Sequence, residues 1–246
     1  MEISLAAEKI GQIWGFPITN SMFLSWIVTI ALIVIVLFAT TDLKIIPKGI
    51  QNFFEAIIEF LFNGANDIIG DEDATKKYFP LVATIFIFVL CNNWIGLLPG
   101  VGTIGLREIH EGKEVFVPLL RSANADLNTT IALSVTTIIA VQVFGIAAIG
   151  TFRHIGKFIN FKSPIMFFVG TLELISEFAR MVSFSFRLFG NIFAGEVLLM
   201  IVAFLVPFIA PLPFFFLELF IGFIQALVFS MLALVFIKGA ITTAEH

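Results

Sequence analysis

The stretch "SFSFRLFGNIFAGE", residues 183–196, holds a permanent cation in apolar surroundings. From Met181 to Leu217 the only ionisable side chains are Arg187 and Glu196. An arginine at a bilayer centre costs roughly 3 kcal/mol on insertion scales. The cation must therefore face protein or water, and intramembrane charges of this kind mark ion or substrate paths. At about 100° per residue, Glu173, Glu177, Arg180, Arg187, Asn191 and Gly195 fall within one stripe about 80° wide. The other faces of that segment are Phe, Ile, Leu, Val and Met. Glu218, Gly222, Gln225 and Phe229 form a second stripe further along the chain. Folding one segment on the other would bring Gln225 and Glu218 toward Asn191, Arg187 and Glu196. Glu196 points away from the first stripe, toward water or another helix.

Plainer readings compete at each position. Glu173, Glu177 and Arg180 have the i, i+3 and i, i+4 spacing of helix-surface ion pairs. Asn191 and Gln225 could simply hydrogen-bond between helices. Glu196 and Glu218 could be interfacial residues. Arg187 fits none of these, because no carboxylate lies within two helical turns of it on its own segment. His154, between Arg153 and Lys157, reads as a solvated loop residue. The Asn92-Asn93 pair reads as the feature that ends a helix.

The elements that must position these groups are long and apolar. Of the 246 residues 59% are hydrophobic, 31 are Phe and 13% are charged, against about 25% charged in soluble domains. The pattern predicts an all-α integral membrane protein, residues 1–246 forming one membrane domain. Spans are expected at 21–41, 79–98, 127–150, 164–206 and 214–238. The stretch 44–69 places Ile50, Phe53, Phe54, Ile57, Ile58, Leu61 and Phe62 on one face, with Pro47 as an N1 proline. It predicts an amphipathic interfacial helix. The segment 164–206 has 43 residues, roughly 65 Å of helix and twice the hydrocarbon thickness. It holds no internal proline or turn dipeptide, so one long, strongly tilted helix is expected. "PFIAPLP" at 207–213 would fold the last helix back beside it as a hairpin.

Charge sets the expected orientation. The loops 41–78 and 151–163 carry Lys44, Lys48, Lys76, Lys77, Arg153, Lys157 and Lys162, seven positives. The loop 99–126 carries three, Arg107, Lys113 and Arg121. The first two loops should be cytoplasmic, the N-terminus outside and the C-terminus inside. Glu2 and Glu8 stand where a signal peptide has cations, so no cleaved signal is expected. The single cysteine, Cys91, excludes an internal disulfide and reads as apolar filler. The net charge of −4 suggests no nucleic-acid partner.

"SFSFRLFGNIFAGE" resembles the signature of the a subunit of rotary F-type ATP synthases, the stator half of the membrane proton channel. "CNNWIGLLPG", "SANADLNTTIALSV" and "FIQALVFSMLALVFI" resemble that family's other stretches, in order, over roughly residues 20–240. "RLFGN" is more similar to bacterial and chloroplast members than to mitochondrial ones. The resemblance implies a bacterial plasma membrane location, with the thylakoid as the alternative. It implies a ring of c subunits, peripheral-stalk b subunits and the rest of the ATP synthase as partners, besides the lipid bilayer. The transported ion is H⁺, with Na⁺ left open. Arg187 matches the stator arginine facing the c ring, and Asn191 and Gln225 its polar neighbours. Glu196 matches an acidic position of the outer proton path, and Glu218 a position that is histidine in some relatives. Glu173 matches a residue of the inner half-channel, with Glu177 and Arg180 as weaker matches. No cofactor or metal is implied.

Two other classes compete with this reading. A secondary transporter or ion channel using the charged stripe predicts internal repeats and broken helices, and neither is evident. An intramembrane enzyme needs a nucleophile or metal set. His110, His154 and His246 lie in loops or the tail, and no HExxH or GxSxG occurs. No phosphate-binding loop is present, so ATP chemistry belongs to partners.

Overall fold

The computed structural model describes residues 7–41, 47, 49–102, 104–110, 113–158, 163–207 and 209–242. Lys44, Lys48, Lys162 and His246 lie outside them. The described residues form seven α-helices and small β-hairpins. Among the described residues five helices are long and apolar enough to cross a membrane: α1 (Asn20–Thr40), α3 (Glu72–Ile95), α4 (Leu127–Ile149), α6 (Pro164–Leu205) and α7 (Pro211–Ile241). These are the expected spans with shifted ends. The amphipathic helix is α2 (Ile50–Ile69). A short helix, α5 (Thr151–Phe158), stands where a plain loop was expected.

Helix starts follow local chemistry. Side chains of Thr19, Asp71, Asp126 and Ser163 accept from the first-turn backbone N–H groups of α1, α3, α4 and α6. Asp71 corrects the expected start of the second span from Phe79 to Glu72. Pro80 lies inside that helix. Its missing N–H frees the carbonyl of residue 76, where the Lys76–Glu72 pair is more than half exposed and water is at hand. Pro47 is not an N1 residue, since α2 begins at Ile50 after Gly49, whose φ is +63°. The last helix begins at Pro211 rather than 214, using the proline as a first-turn residue.

Two antiparallel hairpins were not anticipated. Strand β1 (Lys9–Ile13) pairs with β2 (Phe16–Thr19) immediately before α1. After α3 come β3 (Pro99–Gly102), β4 (Gly105–His110) and β5 (Lys113–Pro118), of which β4 and β5 pair. A 3₁₀ turn (Ala123–Ala125) leads into α4.

Helix α7 is the central element and packs on α2, α3, α4 and α6. Its Ala226, Phe229 and Ala233 join Phe86, Val89, Phe184 and Leu188 in one core. Leu234 and Ile237 join Ala65, Val82 and Val141 in a second. Helix α6 runs without interruption through residues 183–187, so the two-upright-spans alternative is ruled out. Helix α1 packs chiefly on α3, β2 and the 3₁₀ turn, and Ile30, Ile33, Leu37 and Phe38 are exposed along it.

Candidate functional site

The polar groups of α6 fall into three clusters along one helix. At about 1.5 Å per residue, Arg187 stands about 15 Å from Glu177 and about 14 Å from Glu196 along the axis.

At the centre, Arg187 is exposed. Among the described residues no side chain pairs with it. One turn on, Asn191 Nδ2 donates to Gln225 Oε1 of α7 at 2.7 Å. Gln225 is 5% exposed and its Nε2 is buried without a partner. The predicted meeting of the two stripes thus holds for Asn191 and Gln225. A groove beside Arg187 is lined by Ser176, Ala179, Ser183, Leu232 and Phe236. Gly190 and Ala194 continue the exposed small-residue face, and a Cβ at Gly190 would meet nothing within 4 Å.

Toward the C-terminal end of α6, Glu218 of α7 is 4% exposed. Its carboxylate occupies the space over Gly195: a Cβ built there would lie 2.0 Å from both carboxylate oxygens. Glu218 Oε1 has no hydrogen-bond partner, and the charge of Glu196 reaches it. Glu196 turns instead toward Arg121, whose Nε is 3.8 Å from its Oε2. The Arg121 side chain is 9% exposed and that of Glu196 35%. Arg121 was counted in the sequence only as a loop charge. What conceals it is distance: it precedes α4 by several residues and meets α6 only after folding.

The scaffold of this end is the "CNNWIGLLPG" segment. Asn93 Nδ2 donates to Gly222 O at 2.8 Å, and Asn124 Nδ2 donates to Asn93 Oδ1 at 2.7 Å. Trp94 Nε1 donates to Leu219 O at 3.0 Å. The asparagine pair is therefore more than a helix-end feature, because it clamps α7 at the level of Glu218. Asp126 both caps α4 and accepts from Ser21 Oγ of α1 at 2.8 Å.

Toward the N-terminal end, Arg180 donates to Glu177 Oε1 and lies 3.6 Å from Glu173 Oε1. Its guanidinium also covers the Phe236 ring at 5.0 Å. The helix-surface pairing expected from spacing is realised here. Glu177 Oε2 is buried without a hydrogen-bond partner, and Gln142 Oε1 of α4 meets His154 Nε2 at 2.6 Å. His154 is only 4% exposed, which corrects its reading as a solvated loop residue. Helix α5 rolls the ring inward, while Phe152, Arg153 and Ile155 of the same helix face out.

The sequence matches the family described as ATP synthase A chain over residues 22–238. It is 36% identical over 224 residues to a protein of Geobacter sulfurreducens named ATP synthase subunit a, covering 90% of this chain and 87% of that one. A Campylobacter jejuni protein of the same name is 34% identical over 222 residues, covering 89% and 88%. One from Moorella thermoacetica is 36% identical over 231 residues, covering 94% of each. With Arg187 set in an uninterrupted apolar helix, and matches that span nearly its whole length, this chain belongs to the ATP synthase A chain family.

Proposed function

We infer that the chain is the proton-channel stator subunit of a bacterial-type F-type ATP synthase and that Arg187 separates two half-channels. The observation that carries this is the exposed Arg187 guanidinium, unpartnered among the described residues and midway along α6 between Glu177 and Glu196. The family match does not favour the transporter reading.

The rotor is a ring of c subunits, each presenting a carboxyl that docks on the small-residue face beside Arg187. In an apolar setting such a carboxyl favours its neutral form and travels through lipid cheaply. Next to a guanidinium the same group ionises, because an adjacent cation lowers a carboxyl's pKa by about 1–3 units. Arg187 thus discharges each arriving site, and its positive charge stops protons hopping straight between the half-channels. Arginine stays charged even when desolvated, which lysine does not. Glu196 and Glu218 line the path to the outer side, with Arg121 orienting Glu196. Glu173, Glu177 and Arg180 line the path to the cytoplasm. Asn191 and Gln225 hold α6 and α7 in register beside the cation. The exposed face of α1 suits membrane contact with the peripheral-stalk b subunits.

The excess of cations in the 41–78 and 151–163 loops supports a cytoplasmic location for α5 and the C-terminus, with the N-terminus outside a bacterial plasma membrane. Arg187→Lys should leave the complex assembled and abolish proton-driven ATP synthesis in vesicles. Synthesis at the parent rate in that variant would sink the assignment. Arg187→Ala should leave a passive leak, read as dissipation of an imposed pH gradient.

A further inference from the structure

We infer that the β1–β2 hairpin is a membrane-interface anchor: its tip, Trp14 with Ile13 and Phe16, docks on the lipid of the leaflet beside the N-terminal end of α1.

The tip is built against local preference. Trp14 and Gly15 both have positive φ, +54° and +85°, as in the two-residue turn whose twist matches that of paired strands. Asn, Asp or Gly ordinarily stands first in that turn, because a left-handed backbone crowds a larger side chain. Here a tryptophan holds the position, and its ring is 100% exposed. The residue type opposes the turn and gains no cover from the described chain, so a surface outside the chain accounts for it.

The pairing register widens the tip into a face. Ile13 stands opposite Phe16, Gln12 opposite Pro17 and Gly11 opposite Ile18. Side chains alternate along a strand, so Ile13, Phe16 and Ile18 share one face and Gln12 and Pro17 the other. Ile13 is 57% exposed and Phe16 78%. A lone two-stranded hairpin is marginal in water, and this one leaves its apolar end uncovered.

Its place in the fold identifies the cover as lipid. Strand β2 passes into α1 without a linker, and Thr19 caps the helix. The base is held in protein. Asn20 N donates to Glu8 O at 3.0 Å and Asn20 Nδ2 to Pro118 O at 3.0 Å, and Asn20 and Ser21 are fully buried. A polar base fixed in protein and an apolar tip outside it are the reverse of a water-facing loop. From Ile10 to Thr41 no side chain is charged, so the hairpin shares the polarity of the spanning helix. The 21 residues of α1 cover about 31 Å, the thickness of the hydrocarbon core. The hairpin is left at the edge of that core, where the amphipathic indole ring is favoured. Met22, Phe23 and Trp26, exposed on the first turns of α1, carry the apolar surface onward into the bilayer. Anchored there, the hairpin fixes the depth of the α1 end whose Ser21 holds Asp126, the cap of α4.

The test uses the whole complex, with Cys91 and any other cysteine replaced, in phosphatidylcholine vesicles. Trp14→Cys, Phe16→Cys and Gln12→Cys each carry a nitrobenzoxadiazole dye. One quencher is phosphatidylcholine spin-labelled close to its headgroup, and the other is iodide on both sides of the membrane. At Trp14→Cys and Phe16→Cys the spin-labelled lipid should remove about half of the emission, and iodide should quench about fivefold less than at Gln12→Cys, as at an interfacial depth. Iodide quenching at Trp14→Cys equal to that at Gln12→Cys overturns the inference, because the tip then stands in water. Protection from both quenchers also overturns it, because a protein chain then covers the tip. Should Trp14→Cys fail to assemble, Phe16→Cys decides by the same two quenchers. Trp14→Asn suits the turn and removes the ring, so it should raise iodide quenching at Phe16→Cys about threefold. Unchanged quenching there overturns Trp14 as the anchor.

Discussion

Glu218 and Gly195 illustrate how a single missing methyl group shapes the path. The Glu218 carboxylate rests against the bare Cα of Gly195, where any side chain would collide at 2.0 Å. Gly195→Ala should displace it, at a cost of about 1–3 kcal/mol for overpacking. We expect reduced proton flux in Gly195→Ala and recovery in Gly195→Ala with Glu218→Asp, whose shorter side chain draws the carboxylate back. Flux equal to the parent in the single variant would show that the carboxylate moves freely. Glu196→Gln removes the anion facing Arg121 and should slow proton uptake from the outer side. Flux measured over a range of outer pH checks this, and an unchanged curve removes Glu196 from the path. The residues on helices were legible because helical periodicity is arithmetic: Arg187, Asn191, Gln225 and Glu218 needed only angles. Arg121 and His154 were not, since a loop has no period and a short helix of eight residues has too little pattern to separate its inner face from charge.

At the scale of elements, Asn93 ties α3 to α7 beside the Trp94 Nε1–Leu219 O bond and the apolar core. Asn93 donates to the Gly222 carbonyl and accepts from Asn124. It is 2% exposed, so neither partner has water as a substitute. Asn93→Leu removes two buried hydrogen bonds, each worth about 1 kcal/mol. The thermal midpoint of the purified membrane sector should fall, and cross-linking between cysteines at Trp94 and Leu219 should weaken. A midpoint equal to the parent's would mean that the joint is held by apolar packing alone. The existence and type of the long helices followed from their apolar runs, with ends off by several residues. Those ends depend on caps such as Asp71, which is polar and lies outside any hydropathy pattern. The hairpins β1–β2 and β4–β5 stayed hidden because their strands are short and their sequences, such as "KIGQI" and "GLREIH", alternate too briefly to stand out.

For the whole molecule the decisive quantity is the length of α6. Its 42 residues extend about 63 Å, while the hydrocarbon core is about 30 Å thick. An uninterrupted helix of that length stays within the core only when inclined by about 60° from the normal. Its exposed Ile175, Phe178, Phe186 and Leu198 make lying in the core favourable. Under the proposed stator role, the two ends of a helix so inclined would reach opposite faces at different positions around the rotor. That offset would separate two half-channels laterally, with Arg187 between them. Single cysteines at Val182 through Leu188, in a chain whose Cys91 is replaced, test the geometry. A membrane-impermeant thiol reagent is applied from each side in turn. Labelling should be slow throughout and confined to the exposed groove positions Ser183 and Arg187. Buried Phe184, Ser185 and Leu188 should remain unmodified. Rapid modification of every consecutive position from one side would mean that this region meets water as a loop in the membrane, and the inclined hairpin would be wrong.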